Sequence, residues 1–358
     1  MLRYIIRRLA LIPLTLFGIM LINFVIIQFA PGGPVEQAIA QFSGLNVSTT
    51  ASISTAESMG PSNQSAYTGA SGLDPEFIAR INEHFGFDRP AHERFFLMLW
   101  NYARLDFGMS YFQDRKVLEI VLERLPVSLS LGLSAIFLIY LISIPLGIAK
   151  AVRDGASFDV WTSAVVFTAY AIPQFLFAII LIVFFAGGEW LNWFPMRNLQ
   201  SDSFADLSFW GRVGDVLWHI ALPVVALTMG GFATLTMLTK NCFLEEISKQ
   251  FVMTARAKGL TERRVLFGHV FRNAMLIIIS GFPAAFVGII FTGAFLIEVI
   301  FSLDGIGLLG YEAVVVRDYP ILFATLFCFS LLALIMQLIG DLLYVVVDPR
   351  IDFEKRST

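Results

Sequence analysis

The side chains best suited to metal ligation or proton transfer are four histidines, His84, His92, His219 and His269, and no two of them stand at ligand spacing. His92-Glu93-Arg94-Phe95-Phe96 opens like the H-E-x-x-H helix of a zinc protease, but Phe96 occupies the place of the second histidine. Cys242 and Cys328 lie in or beside apolar runs and read as small buried thiols, not as a disulfide or a metal site. The chain contains no G-x-S-x-G nucleophile elbow, and no Gly-Lys dipeptide, so a Walker phosphate loop is excluded. Nothing here makes an enzyme, and no metal or cofactor is expected on this chain. Two carboxylates, Glu298 and Asp341, fall at or near the ends of apolar spans, where solvation or pairing is the expectation. The span interiors hold neutral polar residues instead: Asn23, Gln28, Gln174, Thr228, Thr234, Thr236 and Gln337. Such groups either bond neighbouring helices or line a path. Gln174 and the run Thr228-Met-Gly-Gly-Phe-Ala-Thr234-Leu-Thr236 are the lining candidates, because the small residues leave room.

One stretch is chemically unlike the rest. FVMTARAKGLTERRVLFGHVFRN, residues 251–273, carries Arg256, Lys258, Arg263, Arg264 and Arg272 between two apolar spans. Ile247, Phe251, Val252 and Ala255 share one helical face, with Glu246, Lys249, Arg256 and Lys258 elsewhere, which predicts a short amphipathic helix. Gly259 supplies a left-handed stop, and Thr261 is placed to cap a second helix running toward the next span. Thr254, Ala255, Ala257 and Gly259 are small enough for another surface to approach the backbone, and the arginines can pair with acidic groups on it. The segment reads as a helix–turn–helix knob. It either passes force from a soluble partner into the spans or rests on anionic lipid.

The elements that must hold this knob are spans. With 57% hydrophobic and 15% charged residues and a mean hydropathy of +0.73, the chain is an integral membrane protein. Six apolar stretches are long enough to cross a core of about 30 Å: 9–30, 126–149, 160–186, 217–239, 274–297 and 320–347. The first is too long for a signal-peptide core, lacks a cleavage site and reads as a retained anchor. Pro13, Pro145, Pro173, Pro223 and Pro283 lie within these stretches, so the predicted bundle contains bent helices. The N-terminus, the 150–159 loop with Lys150 and Arg153, the 240–272 loop and the C-terminal tail together hold 15 basic residues, against 3 in the loops 187–216 and 298–319. That asymmetry puts both termini and the knob in the cytoplasm.

The segment 31–125 is then outside. Its middle, 43–72, is Ser-, Thr-, Ala- and Gly-rich, cannot bury enough apolar surface to fold and reads as a flexible insertion, with Asn46 and Asn63 as accidental sequons. Phe95, Phe96, Leu99, Trp100 and Ala103 recur at helical spacing, predicting a helix packed on the outer end of the bundle or lying in the interface.

The basic segment resembles the cytoplasmic coupling loop of ABC-transporter permeases of the dipeptide, oligopeptide and nickel import group. In that group the E-A-A-x-x-x-G signature takes the form Thr254-Ala255-Arg256-Ala257-Lys258-Gly259, with Met253 at the position of the broader signature's Glu. Further matches are Ala30-Pro-Gly-Gly-Pro34, FGFDRP (85–90), ERLPVSLSLG (123–132), Ile172-Pro173, RDYP (317–320) and DLLYVVVDPRI (341–351). The group's aromatic-Pro-Gly-x-Gly turn appears as FSLDGIG (301–307), with Leu303-Asp304 in place of Trp-Pro. The long first outer loop is similar to that of the Yej-type oligopeptide permeases.

The resemblance implies an all-α importer permease with six transmembrane helices and no catalytic residue. It implies partners: a second permease subunit, cytoplasmic ATPase subunits that use ATP and Mg, a periplasmic peptide-binding protein, the peptide substrate and membrane lipid, with no nucleic acid. The coupling residues it implies are Glu245, Glu246, Thr254, Ala255, Arg256, Ala257, Lys258, Gly259 and Thr261. Gln174, Thr228, Thr234 and Thr236 remain the path candidates from composition. Import of nickel or another small solute, or an ion-coupled carrier lacking any visible midspan carboxylate, are the alternatives.

Overall fold

The computed structural model describes residues 2–29, 89–187, 190–289 and 294–347. The flexible-insertion, sequon and Ala30–Pro34 assignments lie outside these residues, as does the tail from 348 onward. The described chain is helical, with one isolated bridge between Met109 and Lys116. In order, the helices are α1 (Leu2–Phe29), α2 (Ala91–Tyr102), α3 (Val117–Val152), α4 (Ser157–Ala171), α5 (Gln174–Phe185), α6 (Phe209–Ile247), α7 (Gln250–Ala257), α8 (Glu262–Val265), α9 (Phe271–Gly288), α10 (Phe295–Phe301), α11 (Ile306–Val316) and α12 (Tyr319–Val347). A π-helical turn, Leu266–Val270, joins α8 to α9 without a stop, so Glu262–Gly288 forms one apolar rod.

Five of these rods are long and apolar enough to cross a membrane, and two further pairs pass the same test only as bent units, giving five to seven candidate spans. The stretch expected as a single span at 160–186 is broken: α4 and α5 meet at 94°. The cause is Pro173, which drives Ile172 into the extended region (φ −82°, ψ 120°) and starts α5 afresh. By contrast, Pro126 and Pro145 sit inside the continuous α3, and Pro223 inside α6. The loop expected at 298–319 instead contains the end of α10 and all of α11, which meet at 83°. Ser302 makes that turn in a left-handed conformation (φ 51°).

Contacts divide the chain into two units. Of the described residues, the larger comprises 2–12, 124–187, 190–289, 294–308 and 331–347. Within it α3 crosses α6 closely at Gly147, where an added Cβ would lie 2.5 Å from the Thr239 Cβ and 2.8 Å from the Thr236 carbonyl oxygen. Ser143 reinforces the crossing by donating to the Phe232 carbonyl at 3.1 Å. One apolar core gathers Leu131, Ala135, Ala178, Leu227, Ile297 and Phe301. A second gathers Ile148, Phe243, Val252, Val265, Val270 and Ile278.

Glu298, expected to be solvated or paired at a span end, is fully buried in this unit. Its carboxylate accepts hydrogen bonds from the Ser128 hydroxyl and from the Leu308 N–H at 3.0 Å, while the Ile306 N–H donates to Ser128 at 2.9 Å. The carboxylate thus satisfies the open N–H groups at the start of α11, which explains its burial. Asp304, standing in the place of the group's proline, forms an ion pair with Arg124. At the other end Asp341 is paired as expected, with Arg8 at 3.0 Å and with the Tyr4 hydroxyl.

Of the described residues, the smaller unit comprises 13–29, 89–123 and 309–330. The helix expected around 95–103 is α2, one turn longer at its start, and it packs through Phe95 against Phe17 and Phe24 of α1. Tyr102 stacks edge-on against Phe107 and Phe327. Asp318, almost completely buried, receives the Ser110 hydroxyl and the Tyr111 N–H. Burial raises the Tyr111 phenol pKa to about 12, with the nearby Asp318 charge acting in the same direction.

Candidate functional site

The basic segment is a knob built from α7, the Gly259 turn and α8. Gly259 has φ +79°, so the left-handed stop read from the sequence is present, and its N–H closes on the Arg256 carbonyl at 2.9 Å. Val252 and Ala255 of α7 are buried, with Ile247 and Phe251 partly so. They share one apolar cluster with Phe243 of α6, Ile148 of α3 and Ile278 of α9. The knob is therefore packed into the same core as three long helices, which is what a lever requires.

Two expectations change. Ala255 is turned inward, so the small outer face consists of Thr254, Ala257 and Gly259 without it. Thr261 stands at the N-cap of α8, but its side chain makes no cap hydrogen bond; only its carbonyl takes the Arg264 and Val265 N–H groups. The next side chain, Glu262, is held instead by Arg256, whose guanidinium donates to both carboxylate oxygens at 2.9 and 3.0 Å across the Gly259 turn. Glu245 and Glu246 both pair with Lys249, and the hydrogen bond that Lys249 donates to Glu246 raises the Lys249 pKa. Lys258, Arg263 and Arg264 are exposed, with no carboxylate partner among the described residues. A groove of about 370 Å³ runs between Ala151 and Val152 of α3 and the knob, bordered by Arg256, Arg263 and Phe267.

An ion cluster that sequence reasoning passed over lies in the same unit. Lys150, counted above as a loop cation, is in the last turn of α3 and completely buried. Its ammonium is 3.1 Å from the Asp159 carboxylate and donates to Thr162 and Ser163 at 3.0 and 2.6 Å. Lys240 of α6 bridges Asp159 and Asp154 at 2.7 and 2.8 Å. The legible signal was a lysine inside the apolar run Leu146-Gly-Ile-Ala-Lys-Ala-Val152, with an aspartate nine residues on.

Of the path candidates, the structure brings Gln174 and Thr234 to one cavity of about 370 Å³, walled by Ile136, Tyr140, Gly281 and Ile289. Thr228 and Thr236 are buried away from it and spend their hydroxyls on the Val224 and Phe232 carbonyls of their own helix, both at 2.7 Å.

Residues 143–353 match the family model described as "Binding-protein-dependent transport system inner membrane component". Along its length the chain is 56% identical to the peptidoglycan transport system permease protein YejB of Agrobacterium fabrum, over 99% of each chain. It is 55% identical to the inner membrane ABC transporter permease protein YejB of Escherichia coli O157:H7, again over 99% of each. The dipeptide transport system permease protein DppB of Escherichia coli K12 is 30% identical over 99% of this chain and 100% of that one. A family model covering more than half of the chain, with end-to-end relatives, leaves one conclusion: this chain belongs to the inner-membrane permeases of binding-protein-dependent ABC transport systems.

Proposed function

We propose that this permease conducts peptides or peptide-like compounds into the cytoplasm, paired with a second permease subunit. Two cytoplasmic ATPase subunits would hydrolyse ATP with Mg, and a periplasmic binding protein would deliver the peptide. The substrate class rests on the peptidoglycan and dipeptide systems named for the relatives. The chain would make six crossings, with α4–α5 as one bent crossing and α10–α11 as an outer turn. At 7 and 11 residues these last two helices are only about 10 and 17 Å long, too short to cross separately. Both termini and the 240–272 segment are cytoplasmic, and 31–125 is periplasmic.

The observation that carries the mechanism is the packing of Val252 and Val265 into one core with α3, α6 and α9. An ATPase surface gripping the end of α6 at Glu245 and Glu246 and the knob at Thr254, Arg256, Ala257, Lys258, Gly259 and Thr261 would displace those helices together. ATP-driven closure of the ATPase pair would then tilt α6 and α9, whose residues wall the Gln174–Thr234 cavity, and switch its exposure. Ala255 acts from the inner side as the knob's seat.

Mild-detergent isolation of the chain from its native membrane tests this. The expected eluate contains a second permease, ATPase chains and ATP hydrolysis that a peptide-loaded binding protein stimulates. Recovery of the chain alone, or as a homo-oligomer without ATPase, would refute it.

A further inference from the structure

Gln174 is the first residue of α5, directly after the Pro173 break. Its side chain reaches α6, where a Cβ added to Gly230 would lie 3.3 Å from the Gln174 Oε1. The other end of the amide, Nε2, is shielded from solvent and has no hydrogen-bond partner among the described residues. A buried amide donor without an acceptor is costly and uncommon, so a retained one points to an acceptor that arrives from elsewhere. Gln174 also lines the cavity shared with Tyr140 and Thr234. Gly230 lies ten residues, about 15 Å, from Lys240 along α6, which places the cavity near the middle of a core of about 30 Å.

The lining selects the chemistry of that acceptor. Among the described residues, no Asp, Glu, Lys, Arg or His lines the cavity. A charged peptide terminus would lose its hydration there without compensation, whereas a neutral amide needs only one good donor. Gly281 and Gly288 face open space and keep side chains off the wall, leaving width for variable groups. We propose that Gln174 is a substrate-positioning residue whose Nε2 donates to a backbone carbonyl of the peptide in transit. Such a contact reads the peptide bond and ignores the side chains, so it serves many sequences equally. The proposal rests on the peptide-import reading and deepens it.

The test uses the whole complex in proteoliposomes, with uptake of three tripeptides of unlike side chains and of a thioamide analogue whose sulfur is a poor acceptor. Gln174→Leu is expected to raise KM about tenfold for all three tripeptides. It should also erase the wild type's preference for the amide over the thioamide. Gln174→Met, similar in length and lacking the donor, takes the same measurements if Gln174→Leu does not assemble. Unchanged KM and an unchanged thioamide preference would overturn the proposal. So would loss of assembly in both variants, which would assign the amide's acceptor to a partner chain. A wild-type complex that takes up no tripeptide would fail the peptide-import reading itself, whereas wild-type uptake with an indifferent Gln174→Leu would fail only this inference.

Discussion

Gly259 holds the knob's turn at φ +79°, and an added Cβ there meets nothing within 4 Å. Space is therefore not the constraint; backbone conformation is. A β-branched residue is strongly disfavoured in that region. Gly259→Val is predicted to insert and assemble at wild-type levels while uptake falls severely, read as labelled-peptide accumulation normalised to membrane-extracted complex. Normal uptake by the assembled variant would remove the hinge argument. Lys150 and Asp159 make a second residue-scale prediction. Asp159→Ala strips a buried ammonium of its carboxylate, whereas Lys150→Met leaves Asp159 still paired with Lys240. Removing one partner of a buried pair costs about 3–5 kcal/mol. Thermal unfolding in detergent should therefore show Asp159→Ala as the less stable variant, and the reverse order would refute the assigned geometry. Single residues were unevenly legible. Gly259 announced itself because only glycine enters that conformation freely. Lys150 did not, because a cation at the edge of an apolar run reads as an orientation signal until its partners are seen.

At the scale of elements, the close approach of α3 and α6 depends on Gly147. A Cβ there would come within 2.8 Å of the Thr236 backbone oxygen, and backbone cannot step aside as a side chain tip can. Gly147→Ala is predicted to separate the two helices and lower the unfolding temperature by several degrees. Gly214→Ala, at a position with open space, should leave it unchanged. Equal melting of the two variants would contradict the crossing. The long rods were readable because about 20 apolar residues admit few alternatives. The basic knob was readable from its switch to an amphipathic period and its glycine stop. The break between α4 and α5 was foreshadowed only by Ile172-Pro173, and proline alone does not separate a kink from a break: Pro145 and Pro223 interrupt nothing. The turn after α10 was announced by FSLDGIG (301–307), but what holds it in place was not readable. It depends on Glu298 reaching the start of α11 and on Arg124 meeting Asp304, pairings distant in sequence. Within the cavity, Gln174 and Thr234 were indistinguishable by composition from Thr228 and Thr236, since only helix rotation decides which hydroxyls turn back on their own backbone.

For the whole molecule, the proposed mechanism has force arriving at the knob and leaving at the cavity. Exposed Lys258, Arg263 and Arg264 offer charge to a soluble partner, while Val252 and Val265 tie the knob into the core beneath it. Nothing in this scheme needs an ion gradient, because energy enters through the partner. The most direct test is therefore a transport measurement on the purified complex in sealed proteoliposomes, varying only the energy source and the knob. Tripeptide accumulation is predicted to require ATP on the knob side, to be indifferent to proton and sodium gradients and to disappear in assembled Gly259→Val. Accumulation driven by an ion gradient without ATP, or ATP-driven uptake undiminished in that variant, would contradict the mechanism.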